Sequence, residues 1–328
     1  MRALITGITG FVGSHLAEYL LANTDWDIVG MCRWRSPLDN IQSLIPEINK
    51  AGRVRLVYAD MRDGIAVREA VEQANPTHVF HLAAQSYPKT SFTSPLDTLD
   101  TNVQGTVRLL EALRKSDAEI HVCSSSEVYG RAKTIPIAED APFHPASPYA
   151  VSKVGADLMA RHYAEAYGMR IQVTRMFTHS GPRRGDVFAE SSFAKQIAMI
   201  EAGMIPPVVK VGNLQSLRTV ADVRDAVRAY HILLTVNPVA GEYYNIGGSH
   251  SCTVGDILNT LLSMSTVKIG IEVDPERLRP VDADLQVPDC TKFKNHTGWE
   301  PEIPFEQTMK DLLSYWRHQV KRGVPLQR

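Results

Sequence analysis

The chain has 328 residues, enough for one large or two ordinary domains with an ample buried core. Hydrophobic residues make up 44% and charged residues 22%, a balance that excludes a disordered polymer. Lys plus Arg is 35 against 36 Asp plus Glu, so no broad basic field exists to attract nucleic acid or an anionic membrane.

Strand-like and helix-like segments alternate through the first half. Ala3 to Thr6 is a short apolar run that leads into glycines, and Phe11 to Leu21 has helical spacing. Asp27–Met31 and Val54–Tyr58 read as strands, and Ile65 to Gln73 as a helix. His78–Leu82 is a fourth strand, Val103 to Lys115 a helix and Ile120–Cys123 a fifth strand. Tyr149 to Tyr167 is a long helix before a sixth strand at Ile171–Thr174. This alternation implies right-handed crossovers and a doubly wound parallel sheet covered on both faces, an α/β fold. The second half is less regular. Val220 to Leu234 reads as helix, Glu242–Ile246 as strand, and Thr253 to Met264 and Pro301 to Arg317 as helices. We expect a cofactor domain over 1–176, rejoined by 212–245, and a smaller α/β substrate-binding lobe from 177–211 and 246–328. A cleft between them would hold the substrate.

Cys32, Cys123, Cys252 and Cys290 are far apart and form no CxxC or Cys/His cluster, so neither a metal site nor a disulfide framework is expected. MRALITGITG enters a strand at once, without the pattern of a signal peptide, and no stretch has the length of a membrane span; the expected location is cytoplasmic.

Gly7-Ile8-Thr9-Gly10-Phe11-Val12-Gly13 follows the first strand and opens the first helix. Glycines there permit a tight turn, close approach of a pyrophosphate and close helix–strand packing, while the helix start offers N–H groups to the phosphate. In that strand–turn–helix context the motif indicates a Rossmann dinucleotide site. The second strand runs into Cys32-Arg33-Trp34-Arg35-Ser36 with no carboxylate before Asp39. A 2′-hydroxyl would call for an acid, so Arg33 and Arg35 point to the 2′-phosphate of NADP, with Trp34 or an arginine plane stacking on adenine. Asp60, after the third strand, either accepts from the adenine amino group or caps the next turn.

Tyr149 and Lys153 lie one helical turn apart on one face. Tyrosine ordinarily titrates near ~10, and a neighbouring ammonium favours its phenolate and makes it a better base. Ser124, Ser125 and Ser126, which end the fifth strand, supply a hydroxyl to share the proton.

With these motifs in place, the sequence resembles the extended short-chain dehydrogenases/reductases that modify nucleotide sugars, and within them the GDP-mannose 4,6-dehydratase family. The resemblance covers nearly the whole chain: GITGFVGSHLAEYLL, HLAAQSYPKTSF, SSSEVYG, SPYAVSK, GPRRGDVF, VGNLQSLR and RPVDADLQVPDCTKFKNHTGWEP. It implies Ser125 as hydroxyl helper, Glu127 as acid/base and the Tyr149/Lys153 pair. It also implies Met61, Leu82, Ala83 and Ala84 beside the cofactor, and Ser86, Ser126, Thr178 and His179 beside the sugar. Arg184, Arg218 and Arg279 match phosphate-binding positions, Asp282 a ribose-binding one, and Lys195 either a nucleotide contact or a solvated helix residue. Two departures stand out. Thr178-His179 replaces the family's Asn-His, and Trp34 separates arginines that the family pairs at a subunit contact. The implied assembly is a homodimer or homotetramer.

The implied reaction oxidises C4 of a GDP-sugar, eliminates water across C5 and C6, and returns the hydride to C6. Four other readings share part of this pattern: a GDP-4-keto-6-deoxy-mannose reductase, an enzyme of another GDP-sugar such as a heptose, a nucleotide-sugar 4-epimerase, and a catalytically silent NADP-binding regulator.

Overall fold

The computed structural model describes residues 1–50, 52–278 and 283–323. Its strands in chain order are β1 (Arg2–Thr6), β2 (Asp27–Cys32), β3 (Val54–Tyr58), β4 (His78–His81), β5 (Glu119–Cys123), β6 (Ile171–Met176), β7 (His179–Ser180), β8 (Val208–Val211), β9 (Leu217–Asp222), β10 (Tyr243–Ile246), β11 (His250–Thr253), β12 (Gly270–Val273) and β13 (Leu285–Gln286). Seven of them form one parallel sheet in the order β10-β6-β5-β4-β1-β2-β3. The order reverses between β1 and β4, which opens a crevice at the carboxyl ends of those strands.

Both faces of this sheet are covered, which is why its strands read as apolar runs rather than as alternation. Leu4 and Ile5 show the consequence. Ile5 packs with Leu16, Leu20, Val227 and Tyr230 on one face, and Leu4 with Val79, Leu109 and Ile120 on the other. The long helix Pro148–Tyr167 is set by its ends: Ser147 accepts from the Ala150 N–H at 3.0 Å, proline occupies the first turn, and Gly168 stops it at φ 66°.

The second lobe is built on β9, which pairs antiparallel with β11 and parallel with β13 and β7, while β8 and β12 form a separate parallel pair. Helices Ala189–Glu201, Val254–Ser263 and Phe305–Lys321 enclose a core that includes Phe193, Ile197, Leu258, Leu312 and Trp316.

The segment expected as one helix from Val220 divides at Asp222. Residues Leu217–Asp222 are β9, in the second lobe, and helix Val223–Thr235 returns to pack on helix Phe11–Asn23. The Asp222 carboxylate makes the break by accepting from the Arg224 N–H at 2.8 Å, capping the new helix. The last helix begins at Phe305, because Pro301 and Pro304 cannot extend a helix upstream. Among the described residues, no helix is long and apolar enough to cross a membrane.

Candidate active site

A cleft of about 880 Å³ runs from the crevice of the parallel sheet into the second lobe. At its floor lies the glycine loop. Gly7 has φ 75°, and a Cβ there would meet the Ala83 backbone at 3.0 Å. A Cβ on Gly13 would stand 2.3 Å from the Gly7 carbonyl oxygen, so helix Phe11–Asn23 approaches the loop more closely than any side chain allows. No side chain caps that helix. Its first N–H groups and dipole therefore face the cleft without a protein anion. Thr9, Gly10, Phe11, Val12, Met61, Leu82, Ala83 and Ala84 line the same floor. Thr6 Oγ1 accepts from the N–H groups of Leu82 and Ala83, each at 3.1 Å, which pins the β4 loop against the glycine loop.

Arg33 lines the cleft. Arg35 lies instead in an adjoining hollow of about 560 Å³, with Trp34 set edge-on to Tyr58 at 5.1 Å. Arg33, Asp60 and Arg62 border both spaces. Asp60 takes up the turn-capping role: its Oδ1 accepts from the Arg62 N–H at 3.0 Å, and the Arg62 guanidinium holds its carboxyl below the usual range. Arg62, which sequence reasoning did not single out, bridges Asp60 at 2.8 Å and Asp97 at 2.6 Å.

Ser125, Glu127, Tyr149 and Lys153 converge from two elements. Ser125, two residues past β5, caps a short 3₁₀ turn by accepting from the Glu127 N–H at 3.2 Å. The same side chain hydrogen-bonds Tyr149. Burial lifts the Tyr149 phenol well above its ordinary range; the Ser125 hydrogen bond and the Arg184 charge oppose that, while Cys123 and Glu127 reinforce it. Burial lowers the pKa of the Lys153 ammonium, which donates to the Cys123 carbonyl at 2.7 Å. Behind the pair, Asn102 accepts from the Gln85 N–H at 2.8 Å and donates to Ser152 Oγ at 2.9 Å, joining the β4 loop to the catalytic helix.

Towards the second lobe the cleft is lined by Ser86, Ser126, Thr178, His179, Arg184 and Arg218. Arg184 donates through Nε to Glu190 at 3.1 Å and lies 3.5 Å above the Phe188 ring. His179 stacks on Phe11 at 5.7 Å and donates through Nδ1 to the Phe177 carbonyl at 3.1 Å. Burial drives its pKa down to about 3, so it is neutral. Lys195 does not line the cleft; its ammonium meets Asp186 at 2.6 Å. Arg183 also turns away, towards Glu18 at 2.5 Å and the Asn40 carbonyl at 2.8 Å. Arg279 and Asp282 lie outside the described residues. Arg277, which sequence reasoning passed over for Arg279, does line the cleft, donating to Ser192 Oγ at 3.1 Å. Gly212 makes room for it, since a Cβ there would sit 2.7 Å from the Arg277 carbonyl oxygen.

A family model described as GDP-mannose 4,6 dehydratase matches residues 4–312. The GDP-6-deoxy-D-mannose reductase of Pseudomonas aeruginosa is 31% identical over 328 residues, covering 98% of this chain and 98% of its own. The GDP-mannose 4,6-dehydratase of Yersinia enterocolitica is 32% identical over 363 residues, covering 99% of this chain and 96% of its own. Among solved structures, RMD from Pseudomonas aeruginosa complexed with NADPH superposes with a TM-score of 0.82 at 29% identity, over 97% of this chain and 100% of that one. By sequence over almost its whole length, and by its fold, the chain belongs to the GDP-mannose 4,6-dehydratase family.

Proposed function

We propose that this protein is an NADP-dependent GDP-mannose 4,6-dehydratase that makes GDP-4-keto-6-deoxy-mannose. The residues present fit the cofactor: the Gly7–Gly13 cradle has no room for a Cβ at Gly13 and little at Gly7, and the adjoining helix start carries no side-chain cap. Gly7, Thr9, Gly10, Phe11, Val12 and Gly13 would hold the pyrophosphate, and Arg33, bordering the floor, the 2′-phosphate. When bound, the nicotinamide supplies reversible storage of one hydride, taken from C4 and delivered to C6.

The chain's own residues move the protons. Tyr149, relayed by Ser125, takes the proton of the sugar 4-OH. The ketone at C4 acidifies the C5 proton, which Glu127 removes and then gives to the departing C6 hydroxyl. Arg184, Arg218 and Arg277 would hold the diphosphate. The observation that carries this reading is the Glu127 carboxylate in the cleft, on the turn capped by Ser125, close enough to act on the Tyr149 phenol. We place the enzyme in the cytoplasm as a homodimer or homotetramer. We divide it into a cofactor domain over 1–176 and a sugar-nucleotide lobe; of the expected return over 212–245, Leu217–Asp222 stays with the lobe as β9 and the chain rejoins the cofactor domain from Val223.

Purified protein with GDP-mannose and no added reductant should yield a product lighter by one water without net NADPH use. Glu127→Gln should keep its affinity for NADPH and lose water elimination by about 10²–10⁴-fold. Full turnover by that variant would remove Glu127 from the reaction. The second reading, a reductase acting on the keto sugar, is favoured by the near end-to-end match to the Pseudomonas reductase. It is identified by NADPH consumption that requires the keto sugar.

A further inference from the structure

A buried cation that the proposed chemistry does not use lies behind the catalytic helix. Arg175 stands on β6 inside the parallel sheet with 1% of its side chain exposed. Its guanidinium grips Asp157 bidentately, Nε to Oδ2 at 2.9 Å and Nη2 to Oδ1 at 3.1 Å. Nη1 donates to the Tyr129 hydroxyl at 2.9 Å and to the Glu139 carbonyl at 2.7 Å. The Tyr129 hydroxyl donates onward to Asn245 Oδ1 at 2.8 Å, and Asn245 is the register partner of Arg175 on β10. The guanidinium also lies 4.4 Å from the Tyr243 ring centre and 4.7 Å from that of Phe143.

Each arm of this network ends on an element that carries catalytic groups or supports them. Asp157 sits one turn beyond Lys153 and two turns beyond Tyr149, on the same stripe of helix Pro148–Tyr167. Tyr129 follows Glu127 by two residues, inside a turn closed by Tyr129 N–H to Ser126 O and Gly130 N–H to Glu127 O, both at 3.1 Å. One guanidinium therefore clamps the helix of the phenol to the turn of the carboxylate. A buried ion pair is a weak source of stability, because apolar replacements are often as good; its planar fork is a strong source of geometry.

We propose that Asp157, Arg175 and Tyr129 are positioning residues that hold the Glu127 turn in register with the Tyr149/Lys153 face. The kinetic part of this proposal rests on the dehydratase reading; the geometric part does not. Tyr129→Phe removes one hydroxyl and keeps the ring, so the protein should fold. Backbone hydrogen exchange of residues 125–130 should rise about tenfold, with helix Phe305–Lys321 unchanged. No local rise, or the same rise throughout, overturns the proposal. In turnover of GDP-mannose, the variant should lose about tenfold in kcat with KM held within about twofold. On a Glu127→Gln background the same change should cost less than about twofold, because it acts through Glu127. An equal loss on both backgrounds refutes the positioning role. If the wild type releases no water from GDP-mannose, the dehydratase reading falls, and the exchange measurement alone decides the clamp.

Discussion

Gly13→Ala tests the cofactor floor most directly, because the obstacle is backbone. The added Cβ would stand 2.3 Å from the Gly7 carbonyl oxygen, 2.8 Å from Ile8 Cα and 2.9 Å from the Gly7 carbonyl carbon. Ordinary contacts between carbon atoms begin near ~3.5 Å, so helix Phe11–Asn23 and the loop must part by roughly 1 Å. No side chain can rotate aside to absorb that. Overpacking of this kind costs about 1–3 kcal/mol, and the displaced groups are the loop and helix start assigned to the pyrophosphate. The dissociation constant for NADPH, measured by calorimetry, should rise about 5- to 150-fold, the same free energy converted at about 1.4 kcal/mol per decade. Gly64→Ala is the control. Its Cβ would meet nothing nearer than the Arg108 side chain at 3.8 Å, and removing a glycine at a compatible site stabilises by about 0.4–1 kcal/mol. Tight NADPH binding by Gly13→Ala, within about twofold of wild type, would refute the assignment of this loop to the cofactor.

Three further outcomes are expected. Ser125→Ala removes both the cap of the Glu127 turn and the hydrogen bond to Tyr149, so kcat for water release should fall by about 10²-fold, while Ser125→Thr, which keeps the hydroxyl, should recover most of it. Arg277→Ala should raise KM for GDP-mannose about tenfold with kcat little changed, as loss of uniform substrate binding requires; a fall in kcat alone would place Arg277 elsewhere in the mechanism. Burial drives the pKa of His121 down to about 3, so the unfolded chain takes up a proton near the ordinary 6.5 while the folded one does not. That group's contribution is therefore complete above pH 6.5 and lost as pH falls towards 3. His121→Gln should reduce the pH slope of denaturant stability between these limits by about 1.4 kcal/mol per pH unit.

The sequence announced the parallel sheet because strands buried on both faces are uninterrupted apolar runs, and it announced the floor of the site because tight turns and one-turn pairs are local. What it hid was set by partners distant in sequence or by two periods that agree. Val220, Val223, Val227, Tyr230 and Leu234 satisfy a helical spacing, so β9 merged into the following helix; only Asp222, a good cap, marked the join. Arg277 and Arg279 are two residues apart in sequence, and nothing local marked the first as a cleft residue; its place over Gly212 is set by the fold. Lys195 resembled a nucleotide contact until Asp186, nine residues earlier, was folded against it. Arg175 lay past the expected end of the sixth strand at Thr174, and nothing near it in the sequence named Asp157 or Tyr129 as its partners.

The electrostatics of Tyr149 bear on what Glu127 is for. Hydride transfer at C4 needs the phenol and phenolate forms in turn, whichever direction the reaction runs. A carboxylate near the phenol disfavours the phenolate, and Glu127 does so here, adding to burial while Ser125 and Arg184 pull the other way. For a simple reductase or regulator that carboxylate is a burden, since the tyrosine system completes the redox step without it. Its presence has a chemical use when a second proton must move on the same ring. Elimination across C5 and C6 is such a step: it needs a base at C5 and an acid at C6, and one carboxylate can serve as both. A carboxylate in the cleft beside Tyr149 is therefore a group that dehydration uses and reduction does not.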